Sequence, residues 1–175
     1  MSNTIQTLWV GNKLSTMERL CLSSFVQNGH PIELYSYEDI ENVPDGVVIR
    51  DGNEILSEDM IFEYKHHKSF SGFSNYFRYK LLSEKGGWWV DTDVICLKPF
   101  NLADPLVVCS EEVLPLGEGN THVGSCVIKA PAGNILTKNA FEICMNKKPE
   151  DLIWGEIGPK LVKEMVEKYN MQSFI

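Results

Sequence analysis

The sequence predicts an α/β protein with a mainly parallel, twisted sheet flanked by helices, and three stretches carry that expectation. Residues 5–37 read as strand, helix, strand at the spacing of a βαβ unit, which calls for parallel pairing. Residues 69–90 read as an amphipathic helix, a Gly-Gly stop and a short apolar strand. After Pro99, extended apolar runs again alternate with helical periods. At 175 residues, 43% of them apolar, the chain is expected to form one domain with a real core.

Taken in order, Ile5 to Val10 is a first strand ending at Gly11. Ser15 followed by Glu18 is a capping box, so a helix starts there and runs to about Asn28, where Asn28-Gly29 stops it. Met17, Leu20, Cys21, Ser24 and Phe25 form its expected inner side. Ile32 to Tyr37 is a second strand, Pro44-Asp45-Gly46 a turn, and Val47 to Arg50 a short third strand. Residues 51–68 are polar and show no clear period. Ser69 to Lys85 is the clearest helix, with Phe70, Phe73, Phe77 and Leu81 as a core stripe, and Gly86-Gly87 ends it. Trp88 to Val90 is a strand on which successive indoles point to opposite faces, one into the core and the other free for a pocket. Val94 to Leu97 resumes an extended path. Leu106 to Ser110 and Gly124 to Lys129 are further strands, Asn134 to Cys144 and Pro159 to Tyr169 are helices, and Met171 to Ile175 reads as the start of another strand.

The net charge of −8 argues against a nucleic-acid partner, which needs a basic face. Five cysteines without a CxxC argue against a disulfide framework or a zinc site and read as core fillers in a reducing compartment. No run reaches transmembrane length and no secretory leader opens the chain, so a cytoplasmic protein is expected, with peripheral membrane association through a partner left open. His66-His67 fit an exposed loop better than a metal site, because adjacent side chains diverge.

The chemistry concentrates between Ser74 and Asp93. Asp91 and Asp93 close a run of Trp, Trp and Val at the carboxyl end of a strand, where open α/β sheets bind ligands. Charges there need a partner. Two carboxylates one residue apart suit Mg²⁺ or Mn²⁺ carrying a diphosphate, since such ions take one or two protein carboxylates and complete their shell with phosphate and water. By spacing alone, a solvated turn fits the pair equally well. Asn75 and Arg78, three apart, share a helix face offset from the Phe stripe; Arg78 alone is equally explained by an ion pair with Glu84, and Asn75 by a surface position. Trp9 ends the first strand; by pattern it is a core residue, and by position a flat surface for a nucleobase.

The ordered set Leu8-Trp9-Val10-Gly11, Gly29-His30, Leu34-Tyr35-Ser36-Tyr37, Phe73-Ser74-Asn75-Tyr76-Phe77-Arg78-Tyr79, Gly86-Gly87-Trp88-Trp89-Val90-Asp91-Thr92-Asp93 and Gly158-Pro159 resembles the glycosyltransferase family with a DXD sugar-binding region. That family includes capsular polysaccharide glycosyltransferases, yeast initiating α-1,6-mannosyltransferases and α-1,4-galactosyltransferases. More distantly, the set is similar to the glucosyltransferase domains of large clostridial toxins. The resemblance covers most of the chain. It implies a GT-A-like fold, a nucleotide-diphosphate sugar (a UDP-hexose first, GDP-mannose second), Mn²⁺ or Mg²⁺, and transfer with retention to a glycan or glycolipid acceptor, as in surface polysaccharide synthesis. It implies that Trp9 stacks on the base, that Ser74 and Trp89 line the nucleotide pocket, and that Arg78 holds the sugar or diphosphate. Asp93 ligates the metal, and Asp91 contacts the ribose, or the metal through water. It supplies no nucleophile or base, because retaining enzymes of this fold often lack one.

Two departures stand out. Asn75 occupies a position where the family usually has Asp, exchanging a carboxylate for one acceptor oxygen and an amide donor. Family members also usually carry more chain after the Gly-Pro helix, so residues 1–175 read as one domain whose acceptor region is short or missing. Both keep alive an alternative, a non-catalytic nucleotide-sugar-binding relative or a subunit of a glycan-assembly complex. A phosphatase reading of Asp91-Thr92-Asp93-Val94-Ile95 fits poorly, since the motif lies mid-chain, Ile95 stands at its Thr/Val position, and no later acidic pair follows.

Overall fold

The computed structural model describes residues 4–65, 67–112 and 121–175. Its strands are β1 (Ile5–Leu8), β2 (Ile32–Ser36), β3 (Val47–Asp51), β4 (Gly87–Val90), β5 (Val107–Glu112) and β6 (Thr121–Ala130). Its helices are α1 (Thr16–Gln27), α2 (Ser71–Glu84), α3 (Ile135–Met145) and α4 (Pro159–Lys168). The strands form one sheet in the order β3-β2-β1-β4-β6-β5. β3, β2, β1 and β4 are mutually parallel, and β6 runs antiparallel to both β4 and β5. This is a mixed α/β architecture with a mainly parallel half, as the sequence predicts.

Alternation along the strands splits the core between the two faces of the sheet. One face packs Ile5, Leu34, Trp88 and Val90 against Leu22 and Phe25 of α1. The other packs Leu8, Tyr35, Trp89 and Ile128 against Phe73 and Phe77 of α2 and against α3 and α4. Trp88 and Trp89 are both buried, one in each layer.

The capping box forms as expected: the Met17 N–H donates to Ser15 Oγ and the Ser15 N–H to Glu18. The inner side of α1 differs in part. Cys21, Leu22, Ser24 and Phe25 are buried, whereas Met17 and Leu20 are exposed. The α2 stripe keeps Phe73, Phe77 and Leu81 in the core, but Phe70 is the residue before the helix and is only half-buried. Residues 94–97 form no strand. The backbone of Cys96 bonds to α1 and its cap instead: the Cys96 N–H donates to Ser24 Oγ at 2.8 Å, and Nδ2 of the C-cap Asn28 donates to the Cys96 carbonyl at 2.9 Å. The last residues form a single 3₁₀ turn, Gln172–Phe174, rather than a strand, because Asn170 takes a positive φ and Met171 N–H folds back to the Val166 carbonyl.

The Gly86-Gly87 junction brings β4 against β1. Both residues have positive φ, and a Cβ on Gly87 would stand 2.7 Å from Gln6 Nε2. That amide donates to the Gly86 carbonyl at 2.8 Å and to the Trp88 carbonyl at 3.3 Å. A buried polar side chain in an apolar strand is thereby satisfied, and the register of the two central strands is held.

Candidate active site

β1 and β4 are parallel neighbours, with Ile5 opposite Trp88 and Gln6 opposite Trp89, so their carboxyl ends open on the same side of the sheet. Trp9 leaves one end, and Asp91-Thr92-Asp93 leaves the other. The Asp91 N–H continues the ladder to the Cys126 carbonyl of β6 at 2.8 Å, and the Val94 N–H turns back to the Asp91 carbonyl at 3.2 Å. This turn lifts Asp93 into solvent while Asp91 stays against the sheet.

Arg78 is the hub. It lies on α2 with 3% of its surface exposed. Its Nη2 stands 2.6 Å from Asp91 Oδ1 and donates to Ser74 Oγ at 3.1 Å, and its Nη1 donates to the Ser125 carbonyl of β6. The guanidinium carbon sits 5.1 Å from the centroid of Trp89, whose Nε1 donates to the same Asp91 oxygen at 2.7 Å. Burial pushes the Asp91 carboxyl upward, while the Arg78 charge and the Trp89 N–H pull it down. Oδ1 is thus committed to protein donors, and 29% of the side chain remains exposed.

The cleft above these residues has a volume of about 580 Å³, within the usual range for small-molecule sites. Trp9, Ser74, Arg78, Trp89, Asp91 and Asp93 all line it. A second recess of about 240 Å³ shares Ser71, Arg78, Asp91 and Asp93 with the cleft, so these residues form a common wall. Asn75 lines the recess and not the main cleft. Its Nδ2 donates to the Ser71 carbonyl at 2.8 Å, and its buried Oδ1 has no hydrogen-bond partner among the described residues. Arg78 Nε is likewise buried and has no hydrogen-bond partner among the described residues. Trp9 is half-buried, and its Nε1 donates to the Lys13 carbonyl at 3.1 Å, which fixes the edge of the ring while the residue lines the cleft.

The oxygen donors fit a divalent cation. Asp93 is exposed at the wall shared by cleft and recess, and among the described residues none forms an ion pair with it. One free carboxylate, with Asp91 Oδ2 nearby, is the donor set of an ion that keeps most of its shell for water and phosphate.

Several further residues line these spaces. Phe70, read as core, lines the cleft, and so does Met17, which explains its exposure. Tyr64, Ser125 and Trp154 line the recess. The Trp154 ring packs at a tilt against Tyr64, centroids 5.2 Å apart, and against His67 at 4.5 Å; His66 lies outside the described residues. Gly158-Pro159 carried the only signal for this wall, as the opening of α4. Tyr79 anchors it by donating from its hydroxyl to the Ile157 carbonyl at 2.8 Å.

Residues 14–112 match the family described as "Glycosyltransferase sugar-binding region containing DXD motif". No curated protein sequence matches the chain. Among solved structures, the chain is similar to "PaToxG Glycosyltransferase", with a TM-score of 0.69 and 15% identity over 98% of this chain and 72% of that one. It is similar to a transferase mutant with a TM-score of 0.63 and 10% identity over 100% of this chain and 88% of that one. A further transferase structure gives a TM-score of 0.58 and 9% identity over 99% and 86%. These likenesses extend over the whole sheet and its helices, and the fold is of the GT-A type.

Proposed function

The chain belongs to the family of glycosyltransferases with a DXD-containing sugar-binding region, and we propose that it moves a hexose from a nucleotide-diphosphate sugar to a glycan or glycolipid, with retention at the anomeric carbon. The observation that supports this best is the Arg78–Asp91–Trp89 hub, which holds one Asp91 oxygen fixed beside an unpaired Asp93 at the wall of a cleft of about 580 Å³. UDP-hexoses are the first donors to try and GDP-mannose the second.

In this reading Trp9 stacks on the base, and Ser74 and Trp89 line the nucleotide pocket. Asp91 Oδ2 accepts from a ribose hydroxyl or a metal-bound water, and Asp93 is the direct ligand of Mn²⁺ or Mg²⁺. A cation held by Asp93 would supply positive charge to offset that of a departing diphosphate. Arg78 holds the donor sugar or diphosphate with the N–H groups that remain after three of its five donors bond Ser74, Asp91 and Ser125, and it also fixes the orientation of Asp91. The unpaired Asn75 Oδ1 accepts a sugar hydroxyl that enters the recess.

A panel of UDP- and GDP-sugars with and without Mn²⁺, read by thermal shift on the intact chain and on Asp93→Ala, tests the proposal. A ligand that binds the folded state raises its Tm. A Mn²⁺-dependent rise with one donor, lost in the variant, is expected. No rise with any nucleotide sugar, in a chain that melts cooperatively, would overturn it. Asn75 favours a second reading, a donor-binding relative without transfer. Asn75→Asp separates the two: a substantial gain in transfer rate with little change in donor affinity would mean that the native chain binds without turning over efficiently.

A further inference from the structure

The strand pair β5–β6 carries a second constellation, made of groups unlike those at the Asp pair. Its ladder is irregular: the two steps from Val108 to Ser110 on β5 span the five from Ile128 to Val123 on β6. The slip brings Cys109 Sγ to 3.5 Å from Cys126 Sγ, and Cys126 Sγ to 3.4 Å from Glu111 Oε1. All three ligand atoms lie within 4.8 Å of one another. Both thiols are half-buried, unlike the fully buried Cys21, Cys96 and Cys144, which do act as core fillers.

Distances this short between two sulfurs and a carboxylate oxygen match the edges of a zinc tetrahedron. With Zn–S about 2.3 Å and Zn–O about 2.0 Å, tetrahedral angles put two sulfurs about 3.8 Å apart and a sulfur and an oxygen about 3.5 Å apart. Space is kept for this arrangement. A Cβ on Gly124 would stand 2.5 Å from Glu111 Oε1 and 2.7 Å from Cys109 Sγ, so only glycine leaves room for both groups. The Val127 N–H points at Cys109 Sγ at 3.4 Å, as it would toward a thiolate. His122 stands opposite Glu111, its Nε2 4.0 Å from the other carboxylate oxygen, where it can orient that side chain.

We propose that Cys109, Glu111 and Cys126 form a site for a thiophilic divalent cation, with Zn²⁺ as the best fit and solvent as its fourth ligand. Binding forms two metal–sulfur bonds and one metal–oxygen bond, and the thiol protons leave to solvent. Softness keeps this site apart from the oxygen site at Asp91 and Asp93, since thiolates select Zn²⁺ and carboxylates with water select Mg²⁺ or Mn²⁺. Its place gives it a consequence. Glu111 and Cys126 line the recess together with Asn75, Arg78 and Asp93, so a cation here ties β5 to β6 and fixes the recess wall.

Titration of the reduced, metal-free chain with Co²⁺ tests the assignment by a readout independent of transfer. A thiolate-to-cobalt charge-transfer band that saturates at about one equivalent and is bleached by Zn²⁺ is expected. It should persist in Asp93→Ala, vanish in Cys126→Ser, and weaken at least tenfold in affinity in Glu111→Gln, whose neutral amide leaves the shape intact. Circular dichroism of the variants separates a lost site from a lost fold. No band in the folded, reduced wild type would overturn the proposal, as would a band that survives Cys126→Ser or disappears in a folded Asp93→Ala. Because Asp93→Ala removes the oxygen site, failure here and failure of the donor reading are told apart.

Discussion

The parallel half of the sheet and its antiparallel end solve the same problem in different ways. On the parallel side, the proposed donor residues are nearly contiguous in the chain: Ser74, Arg78, Trp89, Asp91 and Asp93 lie on one helix, one strand and one turn, joined by Trp9 after β1 and by Met17 of α1 in the lining. On the antiparallel side, Cys109, Glu111 and Cys126 meet across two strands, at a place where the ladder slips. The first site is a local motif lodged at strand ends. The second is a product of register, and a shift of pairing by one residue would scatter it. Arg78 joins the two halves, since it reaches Asp91 beyond β4 and the Ser125 carbonyl of β6.

The sharpest way to break this comparison is therefore Arg78→Ala. It leaves the Asp91 carboxylate partly buried and unpaired, and is expected to cost on the order of 3 kcal/mol, at the lower end for a broken buried pair because Asp91 keeps some contact with water. Chemical denaturation measures that loss, and donor binding should fall with it. Asp93→Ala should separate chemistry from stability. An exposed carboxylate contributes little to folding, so unfolding free energy should stay within about 0.5 kcal/mol, while the transfer rate drops by roughly 10²- to 10³-fold. Trp9→Ala should weaken donor affinity by about 1–3 kcal/mol, the usual worth of a base stacked on an aromatic ring, with equal loss for different sugars on one nucleotide; calorimetry across a sugar series checks this. Gly124→Ala tests the antiparallel side. Overpacking against Glu111 and Cys109 should cost about 1–2 kcal/mol and abolish Co²⁺ absorption, while metal-dependent donor binding at the parallel side persists.

The same contrast explains what could be read from the sequence. The capping box at Ser15 and Glu18, the α2 stripe at Phe73 and Phe77, the double glycine and the Asp pair are all signals within one turn or one strand, and they stand where the pattern puts them. Errors arise where a residue answers to something distant. Met17 has the spacing of a core residue but faces the cleft, and Phe70, though in phase with the stripe, lies before the first turn and does the same. Residues 94–97 have an extended composition, yet the backbone of Cys96 bonds Ser24 of α1 and Asn28, the residue that caps that helix, rather than a neighbouring strand. Trp154 and Tyr64 come together from segments without a period, and Cys109 and Cys126 are brought close only by a ladder irregularity that no spacing rule encodes.

Gln6 bears on the order in which the molecule is built. Its amide bridges to Gly86, 80 residues away, at the centre of the sheet. While the chain emerges during synthesis, the first strand carries a polar group with no acceptor waiting, and its neighbour on one side does not yet exist. Closing so long a loop is slow and is rewarded only once the contacts beyond it form. Trp9 and Asp91 leave the two strands that this contact joins, so the cleft they line, where we propose that the donor binds, comes into being only as β4 docks. Capture of a donor by the nascent chain would therefore report that the sheet has closed.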